Sequence, residues 1–515
     1  MTQTAPNVLF IVLDTQRRDR LSLYGYDRTT SPAFDNFAQD ATVFDRAIAP
    51  AQWTVPAHGS LFTGLYPSQH HLTQAFDGLS GVHPTLAELL QVADYRTVAF
   101  CNNPLVGVLN NGLQRGFDEF YNYAGASPNR PRERKGGIIR EFEARFSRFA
   151  RQLTNRFAHS DTLFRLGLNP LITPIWTRLA NYKGHTAHSL QDLQTYWQRH
   201  TKTSPKHPLF AYVNLMGTHM PLRPSASTLD RIAPDVRRSP ASQRWMAQHN
   251  ADGVGWISPI ESPLEDWQTH TLNAYYDASI IEQDALLGQA LDALKKTGAL
   301  DNTLVIIGAD HGEGHGDHNY FGHSFVVYQE LVHVPLIVRY PDHFPQKRIA
   351  QNVSTRRIFH TILDVAGVKT PFAPDDPNGR IKELSLMSAL NGKPDSEGGI
   401  AFSEAYPPVN LLNIMTGKRA PFVEKLRLNQ VRRGVYHGDY KLATAGTDGQ
   451  EVFNVAQDPT EASNIAPQDA PLTAQLQGHL NDFVASIAHH NAPHHASQGY
   501  SDEVLENLRA LGYLD

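Results

Sequence analysis

Cysteine is nearly missing from this chain: one, Cys101, in 515 residues. A single thiol excludes an intrachain disulfide and any metal site built on several cysteines. Long apolar runs are missing too. The longest, such as residues 8–13 and 303–307, have strand length, whereas a membrane span needs about 20 apolar residues. Residues 1–6 hold no basic segment followed by an apolar run, so no signal peptide is read and a cytoplasmic enzyme is the expectation. A bulk charge of one sign is also lacking. The 46 Lys and Arg nearly balance 51 Asp and Glu, for a net charge of −5, which leaves no whole-chain footprint for nucleic acid. No internal repeat is found. The length exceeds what one small core organises, so one large unit and one smaller unit are expected.

What is present is an alternation of strands and helices. Residues 7–14, Asn-Val-Leu-Phe-Ile-Val-Leu-Asp, and residues 303–310, Thr-Leu-Val-Ile-Ile-Gly-Ala-Asp, read as strands buried on both faces. Further strands are predicted at 95–101, 208–216 and 334–339, and helices at 32–38, 86–92 and 272–296. The stretch 224–265, rich in proline, reads as a loop. This pattern predicts an α/β fold, a large mostly parallel sheet sandwiched by helices over residues 1–375. Within it, residues 128–182 form a basic insertion in which Phe142, Phe146, Phe149, Leu153 and Phe157 recur at helical spacing among arginines. A solvated helix face, a lid, an oligomer contact and a membrane-surface helix all fit that pattern. Residues 376–490 read as a smaller α+β subdomain with an antiparallel sheet, its strands at 399–404, 431–444 and 450–455, and a terminal helix at 472–487. Residues 491–515 read as a tail, and His489, His490, His494 and His495 as a solvated linker.

The stretch 53–64, Trp-Thr-Val-Pro-Ala-His-Gly-Ser-Leu-Phe-Thr-Gly, reads as a helix start. Thr54 is placed as its N-cap, Pro56 in the first turn and Gly64 at the far end. Such a terminus is a ready anion site. Taken alone, Thr54 is a cap, Asp14 a turn residue, and His219 either a buried or a site residue. Together they say more. Two strands of one sheet that end in Asp14 and Asp310 bring two carboxylates to one crevice, and a cation is the simplest way to hold them there. Asp14, Asp310 and His311 form a hard-to-borderline ligand set. The loop that follows adds His315, Asp317, His318 and His323.

Several segments, in order, resemble the sulfatase family of the alkaline-phosphatase-like superfamily. They are NVLFIVLDTQRRDRLSLYGY, SPAFDNFAQDATVFDRAIAP running into WTVPAHGSLFTGLYPSQH, GFDEF, NLMGTHMPLRP, LDNTLVIIGADHGEGHGDH, ELVHVPLIVRYP and ILDVAGV, with VRRGVYHGDYKL, EVFNVAQDPTEASNIA and LENLRALGYLD in the last third. The resemblance implies that Asp14, Asp310 and His311 hold a divalent metal (Ca2+, Mg2+, Mn2+ or Zn2+). It also places Thr54 where the family has its nucleophile, joining the metal set. His219 then touches the transferred anionic group, and His323 falls near a basic substrate-binding position. The departures are as informative. Sulfatases carry Cys or Ser in a Cys/Ser-x-Pro-x-Arg motif that becomes formylglycine; here the five residues are Thr54-Val55-Pro56-Ala57-His58. No formylglycine is therefore expected, and His58 stands in place of the arginine as a further catalytic candidate. Thr15 stands where many relatives have a second acidic ligand.

A formylglycine hydrate expels sulfate by collapsing to an aldehyde; a threonine ester has no such exit and must be cleaved at sulfur or phosphorus. The expectation is thus a metal-dependent hydrolase of anionic esters, sulfate or phosphate/phosphonate, with phosphorus esters modestly favoured, as in phosphodiesterases. Two alternatives are a membrane-associated phospholipid head-group transferase and a non-catalytic anion-binding descendant. Membrane contact through the basic helix is not favoured, and a homo-oligomer is compatible.

Overall fold

The computed structural model describes residues 5–125, 128–131, 156, 159–179, 181–204, 206–341, 343–368, 379–391, 396–415, 420–446 and 449–488. Phe142, Phe146, Phe149, Leu153 and Phe157 of the amphipathic stretch and the four histidines of the tail lie outside the described residues.

Among those described, the strands run β1 (Asn7–Leu13), β2 (Thr42–Ile48), β3 (Arg96–Cys101), β4 (Glu119–Asn122), β5 (Leu209–Leu215) and β6 (Thr303–Gly308). They continue with β7 (Gly314–His315), β8 (Phe321–Gly322), β9 (His333–Arg339) and β10 (Lys347–Ser354). The last four are β11 (Ile400–Ala405), β12 (Arg432–His437), β13 (Tyr440–Ala445) and β14 (Gly449–Asn454). The main sheet orders eight of them β10-β2-β9-β6-β1-β5-β3-β4. Its pairs are parallel except the two made by β9, which runs against both β2 and β6.

β1 lies between β5 and β6, so both its faces need cover, and its unbroken apolar run follows from that. Val8, Phe10 and Val12 enter one core with the helices Thr54–Thr63, Leu86–Val92 and Arg357–Val365. Leu9, Ile11 and Leu13 enter the other with the helices Thr186–Thr203 and Asp266–Lys296. The fold is therefore the expected α/β sandwich with a smaller antiparallel sheet, β11-β12-β13-β14, at its C-terminal end. That sheet packs Val435, Leu442 and Val452 on Leu476, Leu480 and Phe483 of the helix Ala470–Ala488. No helix among the described residues is long and apolar enough to cross a membrane.

Four local expectations change. The stretch 224–265 is not a loop; it contains the helices Ala226–Ile232, Pro234–Arg238 and Pro240–His249. Pro234 and Pro240 start helices rather than break them, because a first-turn residue has no intrahelical use for its N–H. Ser225 and Ser239 cap two of these helices by accepting from Thr228 N and Ser242 N, each at 3.2 Å. β2 and β10 lie where no strand was read. Asp45 and Arg46 interrupt the apolar pattern of β2 at a bulge, where the register against β9 and β10 shifts. Residues 431–444 hold two strands, turned at Gly438 with φ +58°. Finally, Thr54 is not the N-cap. Trp53 is, with φ −145° and ψ 167°, and Thr54 is already the first helical residue. Gly64 closes the far end as expected, at φ +73°, donating to Ser60 O at 2.9 Å.

Candidate active site

Trp53 has no side-chain oxygen to offer, so the helix Thr54–Thr63 begins without a side-chain cap. Its first N–H groups and the positive end of its dipole are left for another acceptor. All ten residues of this helix are buried, and it enters the carboxyl edge of the sheet, where the other candidates gather.

Asp14 follows β1. The chain turns at once: Thr15 sits at φ +58° and its hydroxyl donates back to Asp14 O at 2.7 Å. A β-branched residue in the left-handed region carries roughly 1–2 kcal/mol of strain. Here that turn aims the Thr15 N–H at Asp310 Oδ1, 3.4 Å away, while the Thr15 hydroxyl is spent on the backbone. Asp310 follows β6, and its Oδ1 also accepts from His311 N at 3.0 Å. His311 Nδ1 donates to Gly312 O at 2.9 Å, so its Nε2 carries a lone pair. That lone pair faces Asp310 Oδ2 at 3.4 Å and Thr54 Oγ1 at 3.3 Å. Gly312 is required behind it, since a Cβ there would stand 1.9 Å from Glu330 O.

Asp14, Asp310 and His311 thus offer ligand atoms all within 4.8 Å of one another, and all three residues are buried. Asp14 Oδ1 and Asp310 Oδ2 have no hydrogen-bond partner. Burial, with the Asp14 charge beside it, holds the Asp310 carboxyl well above the usual carboxylate range. Two orphaned carboxylate oxygens and an imidazole lone pair converging in a buried crevice are the donor set of a divalent cation; the residues fit one.

Thr54 stands at the rim of that set. Its Oγ1 is 3.3 Å from His311 Nε2 and 3.3 Å from Asn103 Nδ2. Asn103 was not among the sequence candidates. Its Nδ2 also donates to Asp14 Oδ2 at 2.6 Å, and its Oδ1 caps the short helix Pro104–Gly107. Asn214, within β5, donates to the same Asp14 oxygen at 3.1 Å. A polar residue inside an otherwise apolar strand must find a partner, and that signal was present in the sequence.

His58 lies behind Thr54. Its Nδ1 donates to Thr54 O at 2.8 Å and also lies 3.5 Å from Asp310 Oδ2, while Nε2 accepts from Tyr212 OH at 2.7 Å. Burial lowers its pKa, so it is neutral with both nitrogens engaged. His219 and His323 lie on the open side, with ring centroids 5.3 Å apart; His323 is 4.5 Å from His311. His219 Nδ1 donates to Met220 O at 2.6 Å, which leaves Nε2 a lone pair, and burial keeps the ring neutral by lowering its pKa. His323 is the opposite case. Burial would lower it too, but the charge and hydrogen bond of Glu313, 2.8 Å from Nδ1, outweigh burial and raise the pKa. Glu313, another residue not assigned from sequence, therefore favours the protonated form of the His323 ring. His315 and His318 point elsewhere, to Asn273 at 3.0 Å and Glu330 at 3.2 Å.

Residues 6–368 match the family described as Sulfatase. Arylsulfatase K of Bos taurus is 24% identical over 541 residues, covering 98% of this chain and 88% of its own length. N-acetylglucosamine-6-O-sulfatase of Bacteroides thetaiotaomicron is 24% identical over 500 residues, covering 89% of this chain and 82% of its own. In fold, the phosphonate monoester hydrolase of Agrobacterium radiobacter is similar with a TM-score of 0.64 at 22% identity, covering 94% of this chain and 96% of that one. A continuous match across the main sheet, with an Asp-Asp-His set on its carboxyl edge, leads to one assignment: the chain belongs to the sulfatase family and is a hydrolase of ester bonds.

Proposed function

We propose that this hydrolase cleaves phosphorus esters, phosphate or phosphonate, with Thr54 as nucleophile and Asp14, Asp310, His311 and Thr54 as the holders of a divalent cation. The observation that carries this reading is the Thr54 hydroxyl, 3.3 Å from the His311 lone pair at the uncapped start of a buried helix. A threonine ester cannot revert to an aldehyde, so the covalent intermediate must be one that water can cleave at the central atom. The fold likeness to a phosphonate monoester hydrolase fits that choice.

When bound, the cation would lower the pKa of the Thr54 hydroxyl, so that its proton is lost to solvent, and neutralise a substrate oxygen. The remaining steps belong to side chains. Thr54 Oγ attacks phosphorus as the bond to the leaving oxygen breaks on the far side. His323, kept protonated by Glu313, gives its Nε2 proton to that oxygen. The free N–H groups at the helix start receive the phosphoryl oxygens. Water then attacks phosphorus and passes its proton to the His219 Nε2 lone pair, and Thr54 Oγ departs. A proton moving from His219 to His323 through water restores the resting state. Asn103 and His58 act on Thr54 and the carboxylates rather than on substrate, and are positioning residues.

The test is a panel of 4-nitrophenyl phosphate, its bis-ester, a 4-nitrophenyl phosphonate and 4-nitrophenyl sulfate, each with and without a chelator. Turnover of a phosphorus ester that chelation abolishes and a divalent salt restores is the expected result. Turnover of the sulfate alone would overturn the phosphorus preference, and full turnover after exhaustive demetallation would overturn the metal role.

A further inference from the structure

The loop that carries His219, residues 217–221, leaves β5 and curls back on itself. Gly217 N donates to Gln283 Oε1 at 2.7 Å, and no side chain fits at Gly217, where a Cβ would lie 2.5 Å from that oxygen. Thr218 Oγ1 donates to Asp14 O at 2.8 Å. Both anchors hold the first half of the loop. The second half is reached by Lys183: its Nζ donates to Gly217 O at 2.9 Å and to Pro221 O at 3.2 Å. One ammonium therefore ties the two ends of a five-residue loop with His219 at its middle.

The segment that delivers Lys183 is itself fixed. Gly184 turns at φ +61°, and a Cβ there would stand 2.9 Å from Tyr123 Cβ and 3.1 Å from Asn102 Cγ. Tyr182 packs its ring on His219, with centroids 5.8 Å apart. Burial of the ammonium pushes Lys183 down to about 7, and Arg223 pushes the same way; Asp14, Glu313 and Glu282 oppose both. A desolvated ammonium is held here against its own solvation preference, which a loop tie on the protein surface would not require.

We infer that Lys183 is a positioning residue for the hydrolysis. By gathering the carbonyls of Gly217 and Pro221 it sets the backbone from which His219 donates to Met220 O, and so aims the His219 Nε2 lone pair at the reacting centre. The inference rests on the reading of His219 as the base of the second step. A misplacement of about 1 Å at such a group costs on the order of a hundredfold in turnover.

The experiment compares wild type with Lys183→Met and Lys183→Arg. Protein labelled with 15N-histidine reports the His219 Nδ1–H as a protected resonance, assigned as the one missing from His219→Gln. Expected for Lys183→Met are loss or broadening of that resonance and a kcat about a hundredfold lower with KM little changed. Lys183→Arg, which can meet both carbonyls, should restore part of each. If Lys183→Met does not fold, Lys183→Gln, which keeps one donation, takes its place. A wild-type His219 resonance in the variant overturns the inference, whatever the substrate is. A lost resonance in an enzyme that turns over no phosphorus ester leaves the tie standing and removes the proposed reaction instead.

Discussion

Thr54 shows how much one hydroxyl carries. It does not cap its helix, so Thr54→Ala removes no capping bond and leaves the helix start as it was. The protein loses a buried hydroxyl and a methyl, an expected cost of about 1–2 kcal/mol, which a domain with two large cores survives. Turnover should instead fall by at least about a thousandfold, while Thr54→Ser keeps part of it. Calorimetry and initial rates on the same preparations check both halves. Substantial activity in Thr54→Ala would transfer the attack to water. At this scale the sequence was legible where chemistry and chain position coincide: Asp14, Asp310 and His311 each follow an apolar strand and do converge. It was illegible where a residue works through a partner far along the chain. Asn103 looks like one more turn asparagine until Asp14 and Thr54 are found beside it, and Glu313 does not differ from a surface glutamate until His323 folds back onto it.

At the scale of elements, the short ribbon β7–β8 and the residues after it reach the C-terminal unit: His318 Nε2 lies 3.4 Å from Glu461 O, and Tyr328 OH donates to Glu451 of β14 at 3.0 Å. His318 stacks on Tyr328, with centroids 3.8 Å apart at 12°, and its Nδ1 lies 3.2 Å from Glu330. Burial would lower the His318 pKa, but the hydrogen bond and charge of Glu330 outweigh it and raise the value to about 9. A folded pKa above the usual 6.5 favours the folded state most at low pH. The contribution is complete below about 6.5 and is lost as pH rises through 9. Thermal unfolding should therefore show stability falling between neutral pH and pH about 10 by on the order of 2 kcal/mol, with the slope flattened in Glu330→Gln. An unchanged slope in that variant would remove the ion pair as the cause. Elements were legible in proportion to their apolar regularity. β1 and β6 announce themselves, whereas the reversed direction of β9 leaves no mark, because a strand buried on both faces has the same pattern in either orientation. The helices Pro234–Arg238 and Pro240–His249 were hidden by their prolines, which break helices in the interior but begin them at the first turn.

For the whole molecule, the smaller sheet is continuous with the larger unit. Glu404 of β11 accepts from Ser68 N at 2.9 Å and pairs with Arg433. Tyr66 packs edge-on against Phe402 and Phe483, which stack on each other with centroids 4.2 Å apart. Lys441, fully buried, donates to Val327 O and Glu461, each at 2.6 Å, and Glu461 accepts from Gln329 N at 2.7 Å. A chain cut after residue 368, where the family match ends, would strip Ser68 N, Tyr66, Val327 O and Gln329 N of these partners and open the apolar surface around them to water. The expected outcome is a product without a cooperative unfolding transition and without metal binding, read by calorimetry and by titration with a divalent salt. A truncated protein that still binds the metal would mean that the large sheet stands alone.

The central place of β1 also has a meaning in time. It is made before the other described strands of the sheet, yet its neighbours β5 and β6 follow much later, and 295 residues separate Thr15 from the Asp310 carboxylate it meets. At about 5–20 residues per second, synthesis of that stretch takes roughly 15–60 s. Until β5 is made the apolar strand waits with both edges open, and until β6 is made one edge stays open and the metal set is incomplete. The nascent chain is then most in need of a chaperone, and it has no complete metal set until Asp310 and His311 have been made.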